Sequence, residues 1–328
     1  MTTTPMASAT TERARTFVAA HLVSAMALGR AAGDLVQDPA ALTAALRTGL
    51  PALADPEYLE GQRRVAPGIG ELLGVRSPLL NGVTRGIRAA TRRDRSTVLL
   101  DAADLLLREP VLELRWLAFD LLTRSITADP ERTWQLVRST ARAASDWITV
   151  DTLAHVCATG ILAEPFRWAE LEQLVYSPSR WERRLAGSTV AVLPFADRVA
   201  GRQAAIARRG LAIVGDLIGD AEPDVQKSLS WALRSLLLVD RTPVITFIGT
   251  ETDSAVATAD GLRAWVLRDT LAKLPTGDAT RLRASLNGIR RQPGATSTSR
   301  ASVAAAEFLG AGIGLEVPPA TRTVVARA

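Results

Sequence analysis

The sequence has few of the residues that build metal centres and disulfide frameworks. In 328 residues it contains one cysteine, Cys157, and two histidines, His21 and His155. A single cysteine excludes an internal disulfide framework and is consistent with a reducing, cytoplasmic environment. These three side chains cannot assemble a zinc site of the usual nitrogen and sulfur ligands. The glycines of residues 210–220 fit neither a P-loop nor a dinucleotide fingerprint, so we expect no metal ion and no cofactor.

Lysine is almost missing as well. Lys227 and Lys273 are the only two of the 39 basic residues that are not arginine, and the formal net charge is +5. Arginine binds phosphate groups bidentately and stacks on bases, which indicates a nucleic-acid partner. A genome of high GC content also raises arginine and alanine together, and composition alone favours this simpler explanation.

The sequence also has few long apolar runs and few stretches in which apolar and polar residues alternate. No run reaches the roughly 20 residues that a membrane-spanning helix needs, so we expect no membrane partner. The apolar residues that follow Arg13 and Arg15 are interrupted by His21 and Ser24, which predicts an amphipathic helix rather than a secretory signal. Period-two stretches and hairpin signals are nearly missing, so the chain is predicted to be all-α.

The chain is divided into predicted helices by nine dipeptides. In each of them proline follows an acidic or hydroxyl residue. Asp, Ser and Thr cap the free N–H groups of a helix start, and proline fits the first helical position. Pairs of the predicted helices span about 35–45 residues, which favours an α-solenoid of degenerate HEAT-like repeats with a curved, concave groove. A compact, non-repeating helical domain is the alternative. The dipeptides are Asp38-Pro39, Asp55-Pro56, Ser77-Pro78, Glu109-Pro110, Asp129-Pro130, Glu164-Pro165, Ser177-Pro178, Glu222-Pro223 and Thr242-Pro243.

Three segments are predicted along the chain. Residues 1–54 form an N-terminal helical extension, and residues 55–291 form the repeat domain. Residues 292–328 begin with a break rich in Gly, Ser, Thr and Pro, continue with one short helix and end in a flexible tail. We expect the protein to be a monomer.

Three of the predicted helices place a tryptophan beside charged residues. Tryptophans at helical spacing usually belong to the core, and arginines next to them usually cover apolar surface. Their repetition on three helices favours a shared groove in which arginines hold phosphates and indoles contact sugars or bases. The residues are Trp147, Asp151 and His155 on the first helix; Arg180, Trp181, Arg183 and Arg184 on the second; and Lys227, Trp231 and Arg234 on the third.

A carboxylate in such a groove weakens phosphate binding, so Asp151 requires a chemical reason. Cleavage of an N-glycosidic bond develops positive charge on the sugar, and an anion at that point lowers the barrier. The same carboxylate can orient the attacking water. Asp151 is therefore a candidate catalytic residue. We interpret His155 as a packed or supporting residue and Cys157 as part of the core.

Four segments of the chain resemble one known family. In order, GVRSP (74–78), WITVD (147–151), WERRLA (181–186) and VQKSLSWALR (225–234) are similar to motifs of the AlkD-type alkylpurine DNA glycosylases. These are HEAT-like-repeat enzymes of the DNA alkylation repair superfamily, and the resemblance covers residues 55–274. The chain differs at Ile148, where the family commonly has aspartate, and at Asn81, where it often has arginine.

The resemblance implies a role for each matching residue. Asp151 would be the catalytic aspartate, and Trp147 and Trp231 would pack against the deoxyribose of the damaged nucleotide. Arg184 would hold a backbone phosphate near the lesion. Members of the family remove cationic N3- or N7-alkylated purines from double-stranded DNA without flipping the base into a pocket. The remaining residues that would contact DNA are Arg76, Arg180, Trp181, Arg183, Lys227 and Arg234.

The leading hypothesis is a monofunctional DNA glycosylase of the 3-methyladenine/7-alkylguanine type, acting in the cytoplasm at the nucleoid. A lyase reaction through a Schiff base is disfavoured, because the chain has only two lysines. Bulky antibiotic adducts are further candidate substrates, and their excision would make the enzyme a self-resistance factor. Two alternatives stay open: a non-catalytic paralogue that recognises distorted DNA, and a protein-interaction scaffold.

Overall fold

The computed structural model describes residues 4–65 and 69–310, and within these ranges the protein is all-α, as predicted. The two ranges contain 16 α-helices, four short 3-10 turns and no β-strand. The helices are α1 (Thr4–Gly33), α2 (Pro39–Gly49), α3 (Pro56–Val65), α4 (Ser77–Ala90), α5 (Ser96–Leu107), α6 (Leu112–Ser125), α7 (Pro130–Ala143), α8 (Trp147–Ala163), α9 (Trp168–Leu174), α10 (Arg180–Ala196), α11 (Ala204–Leu217), α12 (Pro223–Leu236), α13 (Arg241–Thr258), α14 (Gly261–Thr270), α15 (Thr276–Ser285) and α16 (Arg300–Gly310).

The helices form two layers that alternate along the chain. The inner layer consists of α1, α4, α6, α8, α10, α12 and α14, each packed on the next. The outer layer includes α2, α5 and α7, and further on α11, α13 and α15, which are again neighbours of one another. From α4 onward the inner helices begin 33–43 residues apart. This arrangement confirms the predicted solenoid-like stack of helical repeats.

The nine proline dipeptides lie close to helix starts, because each proline is within three residues of the first residue of a helix. Pro39, Pro56, Pro130 and Pro223 are themselves first residues. Asp38 caps α2 in the expected way, since its carboxylate accepts hydrogen bonds from two N–H groups of the first turn. Proline therefore marks where the helices of both layers begin.

The predicted N-terminal extension contributes an inner-layer helix, because α1 packs along α4. The two backbones approach closely at glycines. A Cβ atom added to Gly29 would lie 2.0 Å from the carbonyl oxygen of Val83, and one added to Gly86 would lie 2.3 Å from that of Met26. Glycine is therefore needed at these contacts for the two helices to pack this closely.

A buried carboxylate joins the third turn of α1 to the start of α4. Asp55 is fully buried and accepts hydrogen bonds from Arg13 Nη2 at 3.2 Å and from Arg76 Nε at 2.7 Å. Burial by itself raises the pKa of Asp55, but the hydrogen bonds from Arg76 and Arg13 outweigh it and hold the pKa below its ordinary value. The carboxylate and the two arginines thus connect α1 of the extension to the start of α4.

One apolar core runs through both layers and includes residues from α1 to α16. The described part of the chain ends with α16, and residues 292–299 before it form no helix. The tail predicted to be flexible, residues 317–328, lies outside the described residues. Over residues 4–65 and 69–310, no helix is both long and apolar enough to cross a membrane.

Candidate active site

Helix α8 begins with the indole of the predicted site. Its N-cap is Asp146, whose carboxylate accepts a hydrogen bond from the N–H of Thr149 at 2.7 Å and pairs with Arg115 at 3.3 Å. Asp146 is buried, with 5% of its surface exposed. Because this cap fixes the first turn, Trp147 is presented at a defined place, and 37% of its surface is exposed.

Asp151 lies one turn later and is held by two side chains of α10. Arg184 donates from Nε to Oδ1 at 2.9 Å and from Nη2 to Oδ2 at 2.7 Å. The hydroxyl of Ser188 donates to Oδ1 at 2.6 Å. These bonds fix the orientation of the carboxylate. About a fifth of the side chain, 18%, remains exposed.

Arg184 connects three inner helices. Its Nη1 atom donates to the backbone carbonyl of Asp224 on α12 at 2.6 Å and lies 3.8 Å from the carboxylate of that residue. Its guanidinium carbon is 6.0 Å from the centre of the Trp147 ring. Only 6% of the side chain is exposed. The resemblance implies a phosphate contact for Arg184, whereas in this structure its donors are directed at Asp151 and Asp224.

The site residues share one register across the inner layer. Asp151, Arg184 and Lys227 are each the fifth residue of their helix, so they occupy the same turn of α8, α10 and α12. Trp116 of α6 and Trp265 of α14 are also fifth residues, and both are partly buried. Both pack against the apolar core, so their register is what relates them to the site.

Helix α12 adds an exposed cation and a third indole. Lys227 is exposed, and Trp231, one turn later, is partly buried against the core. Arg234 forms an ion pair with Asp269 of α14, whose carboxylate also accepts a hydrogen bond from the hydroxyl of Ser230 at 2.6 Å. Burial raises the pKa of Asp269, but Ser230 and Arg234 together lower it below its ordinary value. Arg234 thus links α12 to α14.

Arg183 has protein partners on all sides of its guanidinium. Its Nε donates to Asp220 at 2.7 Å, and its Nη1 donates to the backbone carbonyls of Ser177 and Pro178 at 2.8 and 3.1 Å. The side chain is 14% exposed and Asp220 is 1% exposed. Arg183 therefore connects the turn before α10 to the turn before α12.

The other predicted DNA contacts differ in exposure. Arg180 is about half exposed and stacks on Trp181, with 4.8 Å between its guanidinium carbon and the ring centre. Trp181 itself is buried. Arg76 is largely buried in the ion pair with Asp55 and lies two inner helices away from α8. Arg180 also pairs with Glu222 at 3.5 Å, but both side chains are exposed, whereas Arg76 is engaged with a fully buried carboxylate at the N-terminal end.

Of the two interpretations of His155, as a packed or as a supporting residue, the structure contradicts the first. Its side chain is exposed on the same face of α8 as Asp151, one turn further along the helix. Protein groups around it still desolvate the ring enough to lower its pKa, an effect that Asp151 partly opposes. Cys157 is fully buried, as expected, and burial raises the pKa of its thiol to about 12.

The two departures from the family motifs have different surroundings. Ile148 is partly buried and packs on a small apolar cluster formed by Ile69, Leu72 and Leu112. An aspartate at this position would place a charge against that cluster. Asn81 is the exposed fifth residue of α4, so it shares the register of Asp151 at a distance of two inner helices.

Sequence reasoning missed two polar residues that contact the site. Ser188 follows Arg184 by one turn on α10, and Asp224 precedes Lys227 by three residues on α12. Ser188 is fully buried. Serine and aspartate at these places look unremarkable in the sequence, because their partners come from other helices. Ser188 could have been predicted from its position four residues after Arg184, which places both side chains on one face of α10.

The arrangement offers a fixed, partly exposed carboxylate one turn after an exposed indole, and an exposed lysine at the same register two inner helices away. Among the described residues, no group of three or more Asp, Glu, His or Cys side chains is placed to hold a metal ion. The chemistry that the side chains themselves can supply is electrostatic stabilisation of a cation and orientation of a water molecule by Asp151. An exposed indole adjoining the carboxylate offers a flat apolar surface for a sugar or a base.

Comparison with known proteins identifies the family. A family model described as DNA alkylation repair enzyme matches residues 46–274. The chain belongs to this family. The match confirms the resemblance and spans α4 to α14 of the inner layer, whereas α1 of this DNA alkylation repair family member lies before it. A search among curated proteins gives no significant match.

Proposed function

We propose that this member of the DNA alkylation repair family is a monofunctional DNA glycosylase. It hydrolyses the N-glycosidic bond of cationic N3- and N7-alkylated purines in double-stranded DNA. The observation that carries the proposal is the Asp151 carboxylate, which two side chains orient and which stays partly exposed beside Trp147. A scaffold for protein binding has no need of a fixed carboxylate at this place.

The proposed reaction uses the charge that the alkyl group puts on the base. The bond between C1′ and the base nitrogen breaks, and its electron pair leaves with the base, which becomes neutral. The sugar takes on oxocarbenium character, which Asp151 stabilises by its negative charge. Water then attacks C1′ and loses its proton by way of the carboxylate. Because the leaving base is already activated, no separate acid is required.

Arg184 and Ser188 act through Asp151 in this proposal. Their three hydrogen bonds leave Oδ2 with one protein donor, so that oxygen can accept a further hydrogen bond from water. Trp147 and Trp231 would contact the deoxyribose, as the resemblance implies. The base would not need to enter a pocket, and an open groove would also accept bulky antibiotic adducts.

Phosphate binding is assigned to the exposed cations of the inner helices. Lys227 is exposed, and Arg180 is about half exposed with only a long, exposed ion pair of 3.5 Å to Glu222, so both can reach a DNA backbone. Arg183, Arg184 and Arg234 already have carboxylate partners in the protein. We therefore propose that these three arginines hold helices α8 to α14 in place and contribute less to DNA affinity than the two exposed side chains.

The proposal is tested by incubating the protein with duplex DNA that contains 7-methylguanine. Heat-labile abasic sites and free 7-methylguanine are the expected products. A parallel duplex with a bulky N3-adenine adduct decides whether large lesions are accepted. Binding of either duplex without release of base would favour the non-catalytic paralogue, and absence of DNA binding would favour the protein scaffold.

A further inference from the structure

Exposed arginines are concentrated at the end of α4, away from the proposed active site. Residues 85–95 contain five arginines and a single acidic residue, Asp94. Arg85, Arg92 and Arg93 are exposed, and their side chains form no hydrogen bond or ion pair with any residue that the structure describes. We call these three residues the α4 arginine cluster. Arg88 between them is paired with Asp120 of α6.

One member of the cluster, Arg85, lies on the surface of the inner layer that carries the proposed active site, and Arg92 and Arg93 lie in the turn directly after α4. Arg85 is the ninth residue of α4, as His155 is of α8, and each is exposed one turn after the fifth residue, Asn81 or Asp151. Both helices belong to the inner layer, with α6 between them. The exposed strip of α4 therefore continues the surface that carries Asp151.

The turn that carries Arg92 and Arg93 is fixed by side chains of other helices. Arg124 of α6 donates to the hydroxyl and the carbonyl of Thr91 at 2.7 and 2.8 Å. Gln37, in the turn after α1, donates to Asp94 at 2.8 Å. The guanidinium groups thus extend from an ordered turn, and little backbone freedom is lost when a ligand binds them.

We propose that the α4 arginine cluster binds the phosphodiester backbone of the duplex that flanks the lesion. The inference rests on the proposed function for the position of the lesion at Asp151. Adjacent packed helices are roughly 8–10 Å apart, so α4 lies roughly 16–20 Å from α8. This corresponds to about five base-pair steps of the duplex. The helix α1 packs closely on the side of α4 opposite to α6 and so supports α4.

The simplest competing explanation is local. Arginines near the end of a helix interact favourably with its dipole, and α4 ends at Ala90. Under that explanation the cluster stabilises the fold and has no influence on DNA. The two explanations differ in the salt dependence of DNA binding, because each phosphate contact releases counterions.

The test compares the native protein with a triple variant, Arg85→Gln, Arg92→Gln and Arg93→Gln, on undamaged duplex of about 24 base pairs. A matched control, Arg208→Gln, Arg241→Gln and Arg283→Gln, removes the same charge from exposed positions of the outer-layer helices α11, α13 and α15. The dissociation constant is measured by fluorescence anisotropy between about 50 and 200 mM salt, and thermal melting checks the fold of each variant.

We expect the triple variant to reduce the slope of log K against log salt by about two to three units, since each phosphate contact contributes about 0.9. The control should keep the native slope. An unchanged slope in the triple variant, or an equal reduction in the control, overturns the proposal. Excision of 7-methylguanine by the native protein is measured separately, so that a lack of glycosylase activity is not confused with the absence of this contact.

Discussion

Asp151 of α8 and Arg184 of α10 form a two-bond ion pair, with N···O distances of 2.9 and 2.7 Å, inside the layer of helices that carries the proposed active site. The planar guanidinium matches both oxygens of the carboxylate, which a lysine cannot do. Ser188 adds a third bond from the same helix. The orientation of the proposed catalytic group is therefore set by α10 rather than by its own helix.

Substitution of Ser188 tests this positioning role. In Ser188→Ala one hydrogen bond to Asp151 is lost while the ion pair with Arg184 remains. We expect kcat for base excision to fall by about three- to tenfold, corresponding to about 0.5–1.5 kcal/mol for one hydrogen bond. Single-turnover excision and DNA affinity are measured together. A fall in affinity with unchanged kcat would show that Ser188 acts on binding instead.

Arg184→Lys should lower kcat for base excision more than Ser188→Ala does. It removes the two-bond geometry and leaves buried hydrogen-bond acceptors unsatisfied. If both residues act only through the carboxylate, each substitution should have a much smaller effect on excision in an Asp151→Asn background. A double-mutant cycle measures this coupling. Strictly additive losses would contradict a shared role through Asp151.

Two glycine-to-alanine substitutions, one in the contact between α1 and α4 and one in α13, should have opposite effects on the free energy of unfolding. A Cβ atom at Gly86 would lie 2.3 Å from the carbonyl oxygen of Met26, so Gly86→Ala should destabilise the protein by about 1–3 kcal/mol. Gly249 of α13 has no atom within 4 Å of the added carbon. Gly249→Ala should therefore stabilise the protein by about 0.5–1 kcal/mol, because alanine loses less freedom in a helix. Urea unfolding measures both, and equal effects would refute the close packing.

The lowered pKa of His155 predicts how stability changes with pH. The unfolded chain binds a proton at this residue near the ordinary pKa of 6.5, whereas the folded protein binds it only at lower pH. Between these two values the unfolded state holds more protons, so stability falls as pH decreases through 6.5. The exposed position of the ring keeps the effect small. His155→Asn should reduce the loss of unfolding free energy between about pH 7.5 and pH 5.5, and an unchanged pH profile would contradict the shift.

The buried thiol of Cys157 gives a direct test of the core. Its pKa is raised to about 12 because burial disfavours the thiolate, which is the reactive form. At pH 8 the thiol of the native protein should not react with an aromatic disulfide reagent over minutes. The urea-unfolded chain should react at once and release one equivalent of the aromatic thiolate. Rapid reaction of the native protein would place Cys157 at an accessible surface.

The arrangement of the helices follows largely from local signals in the sequence. Proline is the first residue of α2, α7 and α12, and its fixed φ angle is a local effect that does not depend on distant residues. The predicted cap forms at α2, whereas Asp129 and Glu222 make no side-chain cap hydrogen bond at α7 and α12. Trp147 and Asp151 could be related because four residues are one helical turn. The packing of α1 on α4 could not be predicted, because close approach at Gly29 and Gly86 depends on the register between two separate helices.

The partners of the charged residues could not be predicted either. Arg183 and Arg184 are adjacent in the sequence, yet one binds Asp220 and the other binds Asp151. Helical geometry turns neighbouring side chains about 100° apart, so they meet different elements. The exposure of His155 depends on how the neighbouring inner helices pack against α8. The spacing of residues along α8 does not reveal that packing.

The central claim is that Asp151 supplies the negative charge that permits hydrolysis of the N-glycosidic bond. Its most direct test is the rate of 7-methylguanine release by Asp151→Asn, which keeps the shape of the side chain and removes its charge. We predict a loss of at least about 100-fold in kcat, the effect of removing one strong electrostatic contact from a transition state, with no loss of affinity for undamaged duplex. Melting temperatures establish that the variant is folded. Release of 7-methylguanine at the native rate by the folded variant would contradict the account.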